Sequence, residues 1–472
     1  MAMFDTDNIS SEGVPPKVAK FKPRLTPEER EEMKKPEVMI VGAGIGGVTL
    51  ALLLHKAKIP FTLFDRAKQQ LGIFEEFKAI GKPSDLLHIF NDDLQPEFVM
   101  DFSERTALTG GQEYIVARPD VYDLLLRQIP KEKILMGKKV LSSIQSENGV
   151  LIRCSDSTTY EGDILVGADG AYSAVRQQLY KDLKKEGKLP RSDDMALPFS
   201  SVCLVGQTEV LDPEEFPDLK HEYSQFMAIH GKQEMYSWMT FTTKKDTVCW
   251  MVIHFLDAES SKENDSFRNS EWGPEAAETM CKQVRHFKVP GGKDRVLTIG
   301  DLIDRTPKDL ISKVMLEEKV FDTWYGLRTV LLGDACHKLN PSGGAGALTA
   351  MHDAVALANW ISSLKGTSLA HVKPIFKEYY AERFPIAKET FATSQLMSKI
   401  PGKGFVSRVT KGIFRRMPAW MFRLIVLRLA AARPQVSFLP LVEDKGTAKI
   451  QLQPSLSKTL ALREQRKKAV PV

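Results

Sequence analysis

An α/β fold is predicted, in which a Rossmann-like dinucleotide-binding domain receives an inserted antiparallel β-sheet domain and ends in a helical C-terminal region. Three observations predict it. Val38 to Arg66 reads VMIVGAGIGGVTLALLLHKAKIPFTLFDR: a β-branched run, a glycine-rich turn, an apolar stretch of helical spacing and a second apolar run. Residues from about 200 to 289 are strand-like and aromatic, as in FMAIHGKQEMYSWMTFTTKKDTVCWMVIHF. A second strand, glycine-rich turn and helix lies at Thr329 to Ile361, TVLLGDACHKLNPSGGAGALTAMHDAVALANWI. At 472 residues, two or three domains are expected.

Residues 1–35 are polar and proline-rich and lack the apolar core of a secretory signal, so a mobile N-terminal arm is expected. Residues 36–80 form the first part of the nucleotide-binding domain. Gly42 permits a tight turn, Gly44 lets the backbone approach a pyrophosphate, and Gly47 lets helix and strand pack closely. The helix that follows points its N–H groups and partial positive charge at the phosphates. Asp65 closes the second strand, where an acid accepts hydrogen bonds from an adenosine ribose.

A charged, aromatic stretch, 81–111, is assigned to the first part of the sheet domain, and 112–196 returns to the nucleotide-binding domain. Tyr114 to Ala117 reads as a strand, and Arg118-Pro119-Asp120 opens a helix with proline suited to its first turn. Short alternating strands follow from Lys138 to Val166, with Asn148-Gly149 as a hairpin turn and Ser155-Asp156-Ser157 as a second. Such a meander within a nucleotide-binding unit points to flavin-binding folds. Asp169-Gly170 comes directly after the last strand; alone it reads equally as a turn and a helix cap.

Residues 197–295 form the second part of the sheet domain, a layer that covers a substrate. Its Tyr236 and Trp238 either line a pocket or pack in the core. Residues 296–390 complete the nucleotide-binding domain. There Asp334 follows a buried strand and can bind ribityl hydroxyls, while the helix start at Gly346 and Ala347 can stabilise negative charge on a reduced flavin ring. His337 reads as a loop histidine beside these groups, with acid-base catalysis as the sharper alternative.

Composition excludes several classes. A formal charge of +5 is concentrated in residues 390–442, which hold nine Lys or Arg and no Asp or Glu, so no general nucleic-acid footprint is present. Five scattered cysteines with no C-x-x-C spacing suggest neither a disulfide framework nor a metal site, and a reducing, cytoplasmic setting is expected.

Over residues 36 to 390 the three motifs resemble the class A FAD-dependent monooxygenases, the para-hydroxybenzoate hydroxylase-like family, and especially its fungal members of secondary metabolism. The resemblance implies one FAD, with Gly42, Gly44 and Gly47 at the pyrophosphate and Asp65 at the adenosine ribose. It implies Arg118 along the FAD, Asp169 and Gly170 at the pyrophosphate side and linked to NAD(P)H, and Asp334, Gly346 and Ala347 at the ribityl chain and ring. The implied reaction uses NADPH or NADH and O2 to hydroxylate or epoxidise a mostly apolar small molecule through a flavin C4a-hydroperoxide. The reactive group is the cofactor's, and no catalytic side chain is singled out.

One departure matters. Relatives place a flavin-covering segment between the ribose acid and a stretch like Leu71 to Phe77, whereas here five residues intervene. About twenty residues are missing by this comparison, and five spanning about 3.3 Å each cannot replace a strand and a helix. Reduced flavin affinity is expected; full FAD stoichiometry through gel filtration contradicts it. Two alternatives stay open: a flavin dehydrogenase or reductase on the same fold, and a degenerate flavin-binding protein.

Residues 391–472 form a basic, hydrophobic C-terminal region. Pro418 and Pro434 leave fifteen residues between them. At 1.5 Å each that is about 23 Å, short of a bilayer core of about 30 Å. Residues 403–433 are therefore a candidate peripheral membrane contact, weighed against a helix packed on the protein itself.

Overall fold

A computed structural model describes residues 35–65, 79–231, 235–256, 274–341, 344–398, 412 and 417–469. The expected arm and the shortened stretch after Asp65, Leu71 to Phe77 included, lie outside the described residues.

A six-stranded sheet runs in the order Tyr325–Gly326, Thr329–Leu331, Ile164–Gly167, Val38–Val41, Phe61–Asp65 and Ile134–Met136. All but the first pair are parallel. Val38–Val41 is central and wholly buried, which is why it reads as a continuous β-branched run instead of an alternating one. The Ile45–Lys56 helix packs against the sheet and against the Gly346–Ser362 helix. The predicted meander is an antiparallel three-stranded sheet, Val140–Gln145, Val150–Cys154 and Thr159–Gly162. Its first turn is closed by Ser146 N–H donating to the Gly149 carbonyl at 2.9 Å.

The second large sheet has seven strands, in the order Ser312–Glu317, Phe199–Gln207, Val248–Phe255, Tyr236–Thr242, Phe226–His230, Leu86–Asn91 and Pro96–Asp101. Its composition moves one boundary. Ser312–Glu317 lies beyond the expected limit at 295 yet pairs with Phe199–Gln207, and Leu297, Ile299, Leu302 and Met315 pack in this sheet's core. The chain returns to the parallel sheet after Glu317. The polar, glycine-containing stretch 291–296 marks a turn within the sheet domain, not its end.

The C-terminal region is knitted into both units. On the Ala419–Ala430 helix, Val426 and Ala430 bury against Leu108 and Ala448, with Phe422 and Leu427 packed alongside. Arg423 pairs with Glu104 at 3.0 Å and Arg428 with Glu389 at 2.6 Å. Farther on, Ser455 caps the chain onto the parallel-sheet unit, donating through N–H and hydroxyl to Glu382 at 2.9 Å each. Among the described residues no helix is long and apolar enough to cross a membrane.

Candidate functional site

The glycine motifs meet at the carboxyl ends of neighbouring parallel strands, the edge where open α/β sheets bind ligands. Gly42 has φ +101°, and a Cβ there would stand 2.4 Å from the Ala168 carbonyl oxygen, so the first turn lies directly on the second motif. At Gly47 a Cβ would fall 2.0 Å from the Gly42 carbonyl oxygen. Gly44 differs: its backbone is extended and a Cβ would meet only the Ala168 oxygen, at 3.9 Å. The space in front of Gly44 is open. Gly44 is also the cap of the Ile45–Lys56 helix, with no side-chain cap and no acid in its first turn. This end of the helix presents N–H groups and positive potential to an anion.

Asp65 ends its strand beside this turn, and its Oδ2 accepts the Ala43 N–H at 2.5 Å. The acid thus braces the glycine turn. Arg118 is the first residue of the Arg118–Leu126 helix, which packs on the Ile45–Lys56 helix. Asp169 shares in the cap of the following helix, accepting from the Ser173 hydroxyl at 2.5 Å and the Val175 N–H at 3.2 Å. Burial raises its carboxyl pKa, an effect the Ser173 and backbone hydrogen bonds partly offset. Gly170, at φ +84°, turns the chain into that helix with open space around it.

The third motif closes on the first from the other side. A Cβ on Gly46 would come within 2.7 Å of Leu332 Cδ1 and 3.2 Å of Ala350 Cβ. Asp334 is half-exposed at the end of its strand and pairs with Lys338 at 2.8 Å. Gly346 and Ala347 open their helix behind Ala345, which makes no side-chain cap, and Ala347 is exposed.

Behind this surface lies a buried cluster whose members are far apart in the chain. Asp353 accepts from His337 Nε2 at 2.6 Å, Arg383 Nε at 2.7 Å and the Gly333 N–H at 3.1 Å. Burial alone would raise the Asp353 pKa; the charges of His337 and Arg383 and their hydrogen bonds override it and hold the group at about 2. Cys336, His337 and Asp353 have ligand atoms within 4.8 Å of one another, but Arg383 already supplies the cluster's positive charge. His337 is thus buried, with its ring held by Asp353, and does not lie on the loop surface expected for it.

The seven-stranded sheet is tied to the parallel-sheet unit at three points. Lys245 pairs with Asp120 at 2.6 Å, the Tyr172 hydroxyl donates to Glu317 at 2.7 Å, and Asn340 donates to Glu318 at 2.5 Å. One face of the sheet packs on the Pro274–Val284 helix and its neighbours. Trp238 belongs there, stacked on Phe287 with its indole N–H donating to the Lys288 carbonyl at 2.8 Å, and Tyr236 rests on the same ring. Both are core residues. The opposite face carries Cys203, Val205, Met239, Met251, Ile253, Phe255 and Leu316 as a separate apolar cluster. Of the two readings of Tyr236 and Trp238 the core one holds, while the smaller residues of this second face carry no signal one by one; strict alternation along Tyr236–Thr242 and Val248–Phe255 separates the faces.

Two glycine turns, uncapped helix ends and an open approach at Gly44 define a dinucleotide-binding flavoprotein fold. Residues 293–394 match the FAD binding domain family. The chain is 26% identical over 454 residues to the FAD-dependent monooxygenase ausM of Penicillium brasilianum, covering 89% of this chain and 90% of that one. It is 28% identical over 408 residues to olcE of Penicillium canescens, also an FAD-dependent monooxygenase, covering 79% and 82%. In structure it resembles Klebsiella pneumoniae HpxO complexed with FAD and uric acid, with a TM-score of 0.63 at 17% identity over 84% of this chain and 95% of that one. It also resembles CtdE in complex with FAD and substrate, with a TM-score of 0.58 at 15% identity over 84% and 100%. The chain is thus similar along most of its length to FAD-dependent monooxygenases, and FAD is the cofactor its glycine turns fit.

Proposed function

We propose that the chain uses NAD(P)H and O2 to hydroxylate or epoxidise a mostly apolar small molecule. The observation that carries the substrate class is the apolar sheet face of Met239, Met251, Ile253 and Phe255, in a sheet that three polar pairs tie to the parallel-sheet unit. Bound FAD supplies the electron-transfer and oxygen chemistry. The polypeptide binds and orients. Gly44 and the helix behind it take the pyrophosphate, Asp334 accepts from ribityl hydroxyls, and the Gly346–Ser362 helix start stabilises negative charge on the ring. The apolar face packs the substrate and keeps water from the reacting centre.

Labelled O2 tests this reading. One labelled oxygen atom in the product, with NAD(P)H consumed, is expected. Hydride transfer to substrate without label incorporation indicates a dehydrogenase on the same fold, and a flavin band that NADPH does not bleach anaerobically indicates a degenerate binding protein.

The outer side of the Ala419–Ala430 helix favours a second role, peripheral contact with an anionic membrane. Trp420 and Leu424 are 64% and 56% exposed, on the side away from buried Val426 and Ala430, within the acid-free stretch of 390–442. The two readings of this region are compatible, because one helix face packs inward and the other offers an interfacial tryptophan flanked by arginines. Trp420→Ser with Leu424→Ser is expected to cut co-sedimentation with phosphatidylserine liposomes by about tenfold or more. Equal binding by the wild type and the double variant contradicts it.

A further inference from the structure

The Asp353 cluster joins the two polypeptide pieces that the proposed flavin site needs at once. Gly333, whose N–H donates to Asp353, directly precedes Asp334. Asp353 itself stands on the Gly346–Ser362 helix, whose first turn is the end proposed above to meet the flavin ring. Gly333 has φ +60°, and a Cβ there would lie 3.0 Å from Ala350 Cβ, so the turn rests against that helix. The third and fourth components come from elsewhere: His337 from the strand after the turn, and Arg383 from the Leu369–Ser398 helix, with its Nη2 also 3.5 Å from the Thr349 carbonyl.

Such a cluster is an expensive way to fill a core. Asp353 and His337 are fully buried and Arg383 is 5% exposed. A buried ion pair often contributes no more stability than apolar residues of the same volume, but its hydrogen-bond directions fix geometry that apolar packing leaves loose. The carboxylate has two oxygens. One is shared by Gly333 and His337, the other is held by Arg383, and together they set the turn's position along the helix.

We propose that Asp353, with His337 and Arg383, is a positioning residue for the flavin: it locks the Gly333–Asp334 turn in register with the start of the Gly346–Ser362 helix. Ribityl hydroxyls and ring are then gripped at a fixed separation. This rests on the reading that the site binds FAD, and the experiment separates the two. FAD is titrated into the apoprotein forms of the wild type, Asp353→Asn, and Asp353→Asn with Arg383→Gln, which removes the Asp353–Arg383 pair together and so leaves no unpaired guanidinium. Val252→Ala, in the core of the other sheet, is the control for general destabilisation.

Melting temperature, FAD dissociation constant and flavin midpoint potential are read for each. Both cluster variants are expected to bind FAD about 10- to 100-fold more weakly, as a seat displaced by a fraction of an ångström would. Their midpoint potential shifts in the fraction that still binds, while Val252→Ala loses melting temperature with wild-type affinity and potential. If either cluster variant folds and binds FAD with wild-type affinity and potential, the positioning role is overturned. Affinity losses in Val252→Ala that match its fall in melting temperature overturn it as well. A wild type that takes up no FAD removes the parent reading instead.

Discussion

Gly44→Val is expected to abolish FAD binding while the apoprotein keeps its melting temperature. The geometry makes this separation unusually clean. Gly44 sits at φ −63° and ψ 171°, extended backbone that valine adopts without strain. A Cβ there meets nothing of the protein closer than 3.9 Å, so the polypeptide tolerates the side chain. The pyrophosphate does not, because the substitution fills the approach to the helix N-terminus. An affinity loss of about 100-fold or more, roughly 2.7 kcal/mol, is expected by fluorescence titration. Wild-type affinity in Gly44→Val would mean that the phosphates bind elsewhere. Gly47→Val is the contrasting change: its Cβ would stand 2.0 Å from the Gly42 carbonyl oxygen, and the fold itself is expected to fail.

Arg328→Met is expected to lower global stability by about 3–5 kcal/mol, because several buried carbonyls lose their donors together. Arg328 is 1% exposed. Its Nε donates to the Glu147 carbonyl at 3.0 Å, and its Nη1 donates to those of Asp163 and Thr367 at 2.9 Å each. One guanidinium thereby ties the meander, the strand leading to Gly167 and the loop between the last two flavin-domain helices. Methionine fills the space but donates nothing. Urea denaturation checks the figure, and a loss below about 1 kcal/mol would show that water replaces the guanidinium at all three oxygens. Arg328→Lys is expected to fall between, since one ammonium cannot reproduce the planar fork.

Short-range chemistry made the first motif readable in the sequence. Strand, glycine turn and helix are contiguous there, and each glycine answers a local steric demand: Gly42 at positive φ, Gly47 against the Gly42 carbonyl. The Asn148-Gly149 hairpin was legible for the same reason. What escaped was long-range or parity-dependent. Nothing near Asp353 announces Arg383, thirty positions on, as its partner. Tyr236 and Trp238 stand in the core, as one of their two readings has it, but which smaller residues the sheet turns to the other face, Met239 and Met251 among them, depends on strand parity. The edge strand Ser312–Glu317 escaped because its register with Phe199–Gln207 spans more than a hundred residues. In the basic tail, hydrophobic content was plain, while its division into an inward and an outward face depends on where the Glu104–Thr109 helix lies.

Gly44 and Asp334, distant in the chain, close on one FAD in the function proposed above. The most direct measurement is the flavin absorbance of the purified protein at dialysis equilibrium with excess FAD, net of the free cofactor, alongside Gly44→Val and Asp334→Ala. A flavin band saturating at one FAD per chain in the wild type, lost in the first variant and weakened in the second, is predicted. A wild-type protein that shows no such band at equilibrium, or variants that retain the full band, would contradict it.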